Sequence, residues 1–170
     1  LLTASVALWN ALQERRAEPL NVQAMAGHSL GEYSALVCAG AISFADGVRL
    51  VRKRGELMQQ AVPNGEGGMA AILGLDDATV QECCAAVSGV VAAANYNAPG
   101  QIVIAGAKSA ITAAIDACKQ AGAKRALALN VSGPFHSPLM EPAAEEFAAV
   151  LSEIPVLMPQ IPVVQNVDAK

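Results

Sequence analysis

The chain is 170 residues long, 54% hydrophobic, 15% charged and 4% aromatic, with 14 Gly and 9 Pro. That composition excludes a disordered segment, which would be poorer in Leu, Ile, Val and Phe. The length suits one domain, or one with a small satellite. A net charge of −4 gives no overall basic field for nucleic acid.

Residues 1–12 form the most apolar opening run, about half the length needed to cross a bilayer. No basic leader or cleavage pattern accompanies it, so neither a membrane span nor a secretory signal is expected. Residues 1–16 read as helix, with Leu1, Ser5, Leu8 and Leu12 on one stripe and Leu2, Val6 and Trp9 beside it. The chain starts without Met, already inside a helix, and ends near an apolar strand at 161–167. It is therefore expected to be a piece of a longer protein.

Residues 22–27 predict a short strand, and a Gly-His-Ser-Leu-Gly turn leads to a helix over about 30–39. Ser43, with Asp46 three residues on, starts the next helix as a near capping box. That helix runs to about residue 61 and stops at Pro63 and the glycine-rich loop 64–68. Strands are predicted over 69–75, 90–96, 101–105 and 124–131. Helices are predicted over 76–87, with Asp76 and Asp77 as caps, and over 108–121. In chain order this is βαββαβ, a ferredoxin-like unit. Ser137 and Pro138 pair as N-cap and first-turn residue of a helix to about 154. The expected fold is α/β: a large domain with a parallel sheet over 1–63 and 132–170, and an inserted small domain over 64–131.

Cys38, Cys83, Cys84 and Cys118 show no C-x-x-C spacing and read as reduced small hydrophobes. The two histidines lie far apart without companion ligands, so no metal site is expected. No cofactor is expected, and the chain reads as cytoplasmic.

Gly27-His28-Ser29-Leu30-Gly31 matches G-x-S-x-G between a predicted strand and a predicted helix, the context a nucleophile elbow requires. The chain must reverse sharply with the serine at its tip. The flanking glycines are expected to remove Cβ atoms that would clash. The helix aims its free N–H groups at the same point, so the Leu30 N–H is set to donate to an oxyanion. The bland alternative is an ordinary glycine-rich turn. A serine hydroxyl needs a base. His28 is too close in so tight a turn. His136, at a strand end before a helix and fixed by Gly133, Pro134 and Pro138, is assigned the role. Its alternative is a structural loop histidine.

Arg54 sits within an apolar stripe of Leu50, Val51, Leu57 and Met58. A buried cation is costly unless paired, and its planar fork suits a carboxylate. The partner is either a substrate carboxylate or a distant Asp or Glu; snorkelling at the stripe's edge is a third reading. The Arg49–Lys53 face reads as solvated.

Three segments carry a resemblance along essentially the whole chain. They are GHSLGEYSALVCAGAISFADGVRLVRKRGELMQ, NYNAPGQIVIAG and VSGPFHSPLMEPAAEEF. They closely resemble the malonyl-CoA:acyl-carrier-protein transacylases of bacterial fatty acid synthesis. The resemblance implies an α/β-hydrolase-like large domain and a ferredoxin-like small one. It implies transfer of a malonyl group through Ser29, with His136 as base and Leu30 in the oxyanion hole. Arg54 falls on the arginine that holds the free malonyl carboxylate. His28, Asn95 and Asn97 complete the expected substrate-binding set. The implied partners are malonyl-CoA and acyl carrier protein, with no nucleic acid and no membrane. Lys124 with Arg125, or the Arg49–Lys53 face, would dock an acidic carrier. The family's GQGSQ-type loop, with its second oxyanion donor, and a later histidine-orienting glutamine are not in this chain.

Two other functions share these residues. A serine hydrolase would use Ser29 and His136 but would need an orienting acid, and Asp76, Asp77 and Asp116 fall in the small domain. A non-catalytic module would bind carrier or CoA without turnover.

Overall fold

The computed structural model describes residues 1–18 and 20–170. The chain divides into two compact units, one of residues 1–55 with 148–170 and one of residues 56–147.

The first unit opens with α1 (Leu2–Glu14), which buries Leu2 and Val6. The wider stripe expected on this helix does not form: Leu1 and Leu8 are 94% and 72% exposed. Leu8 and Leu12, with Trp9, instead line an open groove that reaches Val22 and Met25. Strand β1 (Met25–Ala26) pairs in parallel with β6 (Val163–Val164), Ala26 lying opposite Val164. Both strands are far shorter than their apolar runs predict. Pro162 has no N–H to give to a ladder, and the chain turns back just past β6, Ala169 N–H donating to Gln165 O at 3.0 Å.

Helix α2 (Gly31–Cys38) ends on Gly40, whose φ of +76° favours glycine. The Ala41 and Gly40 amides donate back to Leu36 and Val37 carbonyls, the two bonds of a Schellman stop. Helix α3 (Phe44–Gln60) starts where Ser43 and Asp46 predict. Ser43 Oγ accepts from Asp46 N–H at 3.1 Å and donates to Asp46 Oδ2 at 2.6 Å. The carboxylate thus bonds the hydroxyl rather than the cap's own amide. Arg49 is exposed and pairs with Asp46 at 3.4 Å.

The second unit is built on a four-stranded antiparallel sheet in the order β3-β4-β2-β5. Its strands are β2 (Gly67–Leu73), β3 (Val91–Ala98), β4 (Gln101–Ala107) and β5 (Arg125–Ala128). Helices α4 (Asp77–Ala85) and α5 (Lys108–Gln120) cover one face. Ala70, Ile72, Ile102 and Ile104 from the strands meet Val80, Cys84, Ile111 and Cys118 from the helices. Asp76 caps α4, accepting from Thr79 N–H at 2.9 Å. Gly67 and Gly68, expected in a loop, are strand residues opposite Ala107 and Gly106.

Ser137 stands where a cap is expected, but its hydroxyl donates to Pro134 O at 2.7 Å. A 3₁₀ turn at Pro138–Met140 follows, and α6 begins only at Glu141 (Glu141–Ser152). Pro142 accounts for the step. It has no N–H to return to residue 138 and its ring crowds that carbonyl. Among the described residues no helix is long and apolar enough to cross a membrane.

Candidate active site

Gly27 follows β1 directly. A Cβ there would overlap the Gly31 carbonyl and the Glu32 amide, so the chain folds back this tightly only at a glycine. At Gly31 a Cβ would meet nothing within 4 Å. The expected relief of crowding therefore holds for Gly27 and not for Gly31. The turn is closed by Gly31 N–H to His28 O at 2.9 Å and Glu32 N–H to Ser29 O at 3.2 Å.

Ser29 sits at the tip with φ +53°. Among the described residues only Ser29, His136 and Ala169 are non-glycine residues with positive φ. The two residues expected to exchange a proton thus both hold a backbone conformation that costs about 1–3 kcal/mol. Such strain persists only where neighbours over-determine it.

Leu30 is the N-cap of α2, with φ −58° and ψ −27°. Its carbonyl accepts from Tyr33 N–H. Its own N–H has no acceptor among the described residues and stands at the positive end of the helix. Arg54 comes to the same place from α3, half-buried, and donates a guanidinium hydrogen bond to Ser29 Oγ at 3.0 Å. Its charge is felt at half-buried Tyr33, whose hydroxyl burial pushes above the usual range while Arg54 pulls it down and Glu32 pushes it up. The His28 side chain is exposed.

The remaining expected residues lie in the second unit. His136 follows Phe135, which packs on Met69, Val103 and Ala105. The strand alternation puts these three on the face opposite α4 and α5. Pro134 lies so close over Gly67 that a Cβ there would overlap its ring. Two ring contacts therefore anchor the histidine loop on the sheet, and the Ser137 hydrogen bond to Pro134 O closes the loop on itself. Asn95 is half-buried and pairs with Val103; Asn97 is exposed. Irregularities between Ala93 and Asn95, and between Tyr96 and Ala98, break the β3 register around them. Among the described residues no three His, Cys, Asp or Glu side chains gather to hold a metal ion.

Sequence reasoning missed Asn166. Its Oδ1 accepts from Ser29 N–H at 2.9 Å, and its Nδ2 donates to Gly27 O at 2.6 Å and to Glu32 Oε2 at 2.5 Å. The available signal is a polar residue just past an apolar strand. Parallel pairing of Ala26 with Val164 carries residue 166 alongside the serine turn.

A family model described as an acyl transferase domain matches residues 1–170. A malonyl CoA-acyl carrier protein transacylase of Salmonella typhimurium is 58% identical over 172 residues, covering 100% of this chain and 55% of the relative. An acyl carrier protein S-malonyltransferase from Vibrio cholerae superposes with a TM-score of 0.93 at 54% identity, over 100% of this chain and 56% of that one. A malonyl-transacylase solved in complex with its type II PKS acyl-carrier protein gives a TM-score of 0.94 at 54% identity, over 99% and 55%. The chain thus spans about half the length of the relatives it matches.

Proposed function

The chain belongs to the acyl transferase domain family, and from that membership we propose that it carries the acyl-transfer core of a malonyl-CoA:acyl-carrier-protein S-malonyltransferase. His136 takes the Ser29 proton as Oγ attacks the malonyl thioester carbonyl. The Leu30 N–H donates to the oxyanion of the tetrahedral intermediate. The thioester bond breaks, CoA leaves with the proton returned by His136, and a malonyl-serine ester remains. The phosphopantetheine thiol of acyl carrier protein then gives its proton to His136 and attacks the ester. Ser29 leaves and is reprotonated.

The observation that carries this reading is the Arg54 guanidinium 3.0 Å from Ser29 Oγ. An acyl group esterified to that oxygen lies beside a cation, and a malonyl group brings the carboxylate that pairs with it. A simple esterase has no use for a half-buried arginine against its nucleophile. His28, Asn95 and Asn97 complete the substrate-binding set in this proposal. No metal or cofactor takes part, and the setting is cytoplasmic.

The domain division follows the same reading: an α/β-hydrolase-like domain of residues 1–63 and 132–170, and a ferredoxin-like domain of residues 64–131. The strand–turn–helix around Ser29 supports the first. The β3-β4-β2-β5 order with both helices on one face supports the second.

The test is to incubate the full-length protein with malonyl-CoA and follow intact mass. A malonyl adduct on Ser29 that passes to the carrier thiol is expected. Release of free malonate would make it a hydrolase, and no adduct would make it a binding module.

A further inference from the structure

We propose that Asn166 is a positioning residue for the nucleophile, acting with Glu32 to hold the Ser29 turn in its reactive shape; this rests on Ser29 being the nucleophile. The amide uses every group it has. Oδ1 takes the Ser29 N–H at 2.9 Å, one Nδ2 proton goes to Gly27 O at 2.6 Å, and the other goes to Glu32 Oε2 at 2.5 Å. The Asn166 backbone N–H adds a second bond to the same carboxylate oxygen at 3.2 Å. These partners fix the amide's orientation, since a flipped group would set oxygen against the Gly27 carbonyl and the Glu32 carboxylate.

The clamp spans the whole bend. It grips the residue before the turn, the tip, and the first turn of α2, and its own backbone follows β6, the partner of β1. Ser29 needs such a grip, because its φ of +53° is one that a serine abandons unless held. The clamp also divides labour between two adjacent amides. The Ser29 N–H is consumed by Asn166, which leaves the Leu30 N–H as the one directed at a developing oxyanion. Glu32 is the counterpart: its carboxylate accepts both Asn166 N–H groups and cannot be met equally well by an acid at position 166.

The test compares Asn166→Asp, Glu32→Gln and the double variant in the full-length protein, by single-turnover acylation with malonyl-CoA. Asn166→Asp keeps the acceptor for Ser29 N–H, loses both donors and sets a second carboxylate against Glu32. It is expected to slow malonyl-serine formation about 10- to 100-fold, with KM for malonyl-CoA and thermal midpoint close to the parent's. Adding Glu32→Gln returns a donor to the pair and is expected to recover part of the rate. Acylation at the parent rate in Asn166→Asp overturns the proposal. So does a loss that only tracks the folded fraction, or a double variant no faster than Asn166→Asp. If Asn166→Asp does not fold, Asn166→Ser, which removes the amide without adding charge, is read by the same criteria. A parent protein that forms no adduct on Ser29 overturns the malonyltransferase reading and this proposal together, whereas a normal parent with an unaffected variant overturns this proposal alone.

Discussion

The two glycines of the serine turn differ in what an added methyl group would meet. A Cβ at Gly27 would meet backbone that cannot yield, and one at Gly31 would enter open space. Gly27→Ala is therefore expected to cost about 2–4 kcal/mol. Gly31→Ala is expected to be neutral or stabilising by up to about 1 kcal/mol, since alanine suits a helix better. Denaturant midpoints at unchanged slope measure both. Arg54 is expected to set acyl choice. A pocket that keeps a guanidinium for a carboxylate leaves it unpaired against an acetyl group. Arg54→Ala should lower malonyl loading about 10- to 100-fold, the worth of a charged hydrogen bond, and acetyl loading far less. Equal loss of both would take Arg54 out of the pocket. Part of the candidate site is legible in local sequence: G-x-S-x-G announces a tight turn with Ser29 at its tip, and the apolar neighbours of Arg54 announce a cation needing a partner. Asn166 was not legible, because its role depends on which strand lies beside β1, and local sequence does not encode that pairing. The left-handed backbone of His136 was equally hidden, since a histidine there is unusual and nothing local demands it.

Among the elements, α4 and α5 carry a titration that burial chiefly produces, with the neighbouring thiols adding to it. Burial pushes the Cys84 thiol up to about 11, with Cys83 adding to it, and the Cys118 thiol up to about 12. The folded chain therefore keeps protons that an unfolded chain releases above about pH 9. This contribution to stability is complete below pH 9 and is lost as pH rises toward 11 and 12. Denaturant midpoints across pH 8–11 should fall, and should fall less steeply in Cys84→Ala. The same burial should leave Cys84 and Cys118 unlabelled by alkylating reagents at pH 8 until the chain unfolds. Element by element, the sequence was readable where the deciding contacts are local. Ser43 with Asp46 marked α3, and Asp76 marked α4. It was misleading where they are not. Residues 22–27 and 161–167 are apolar enough for long strands, yet a ladder extends only as far as its partner. The Pro138–Pro142 spacing splits one expected helix into a 3₁₀ turn and α6.

At the scale of the molecule, the two units differ in how their order is maintained. The second has a continuous core between its sheet and its helices, whose members from Ala70 to Ala126 are each nine-tenths buried or more. Its sheet is joined by antiparallel neighbours throughout, and the histidine loop is pinned to its other face through Pro134 and Phe135. The first has a parallel sheet of two residues per strand, far below what sustains a sheet alone. Its order around Ser29 comes from the backbone bonds that close the turn and from the side-chain hydrogen bonds of Asn166 and Arg54. Local opening should follow that difference. In native-state hydrogen exchange, amides of β2 and β4 are expected to be the slowest, exchanging near the global unfolding free energy. The Ser29 and Glu32 amides should exchange by local opening. A fragment of residues 56–147 should keep the slow β2 and β4 amides and unfold in one cooperative transition. Slow exchange at Ser29 equal to that of Ile72 would mean instead that the serine turn belongs to the same cooperative core, and that its strained backbone is held by the fold as a whole and not by the few hydrogen bonds that meet there.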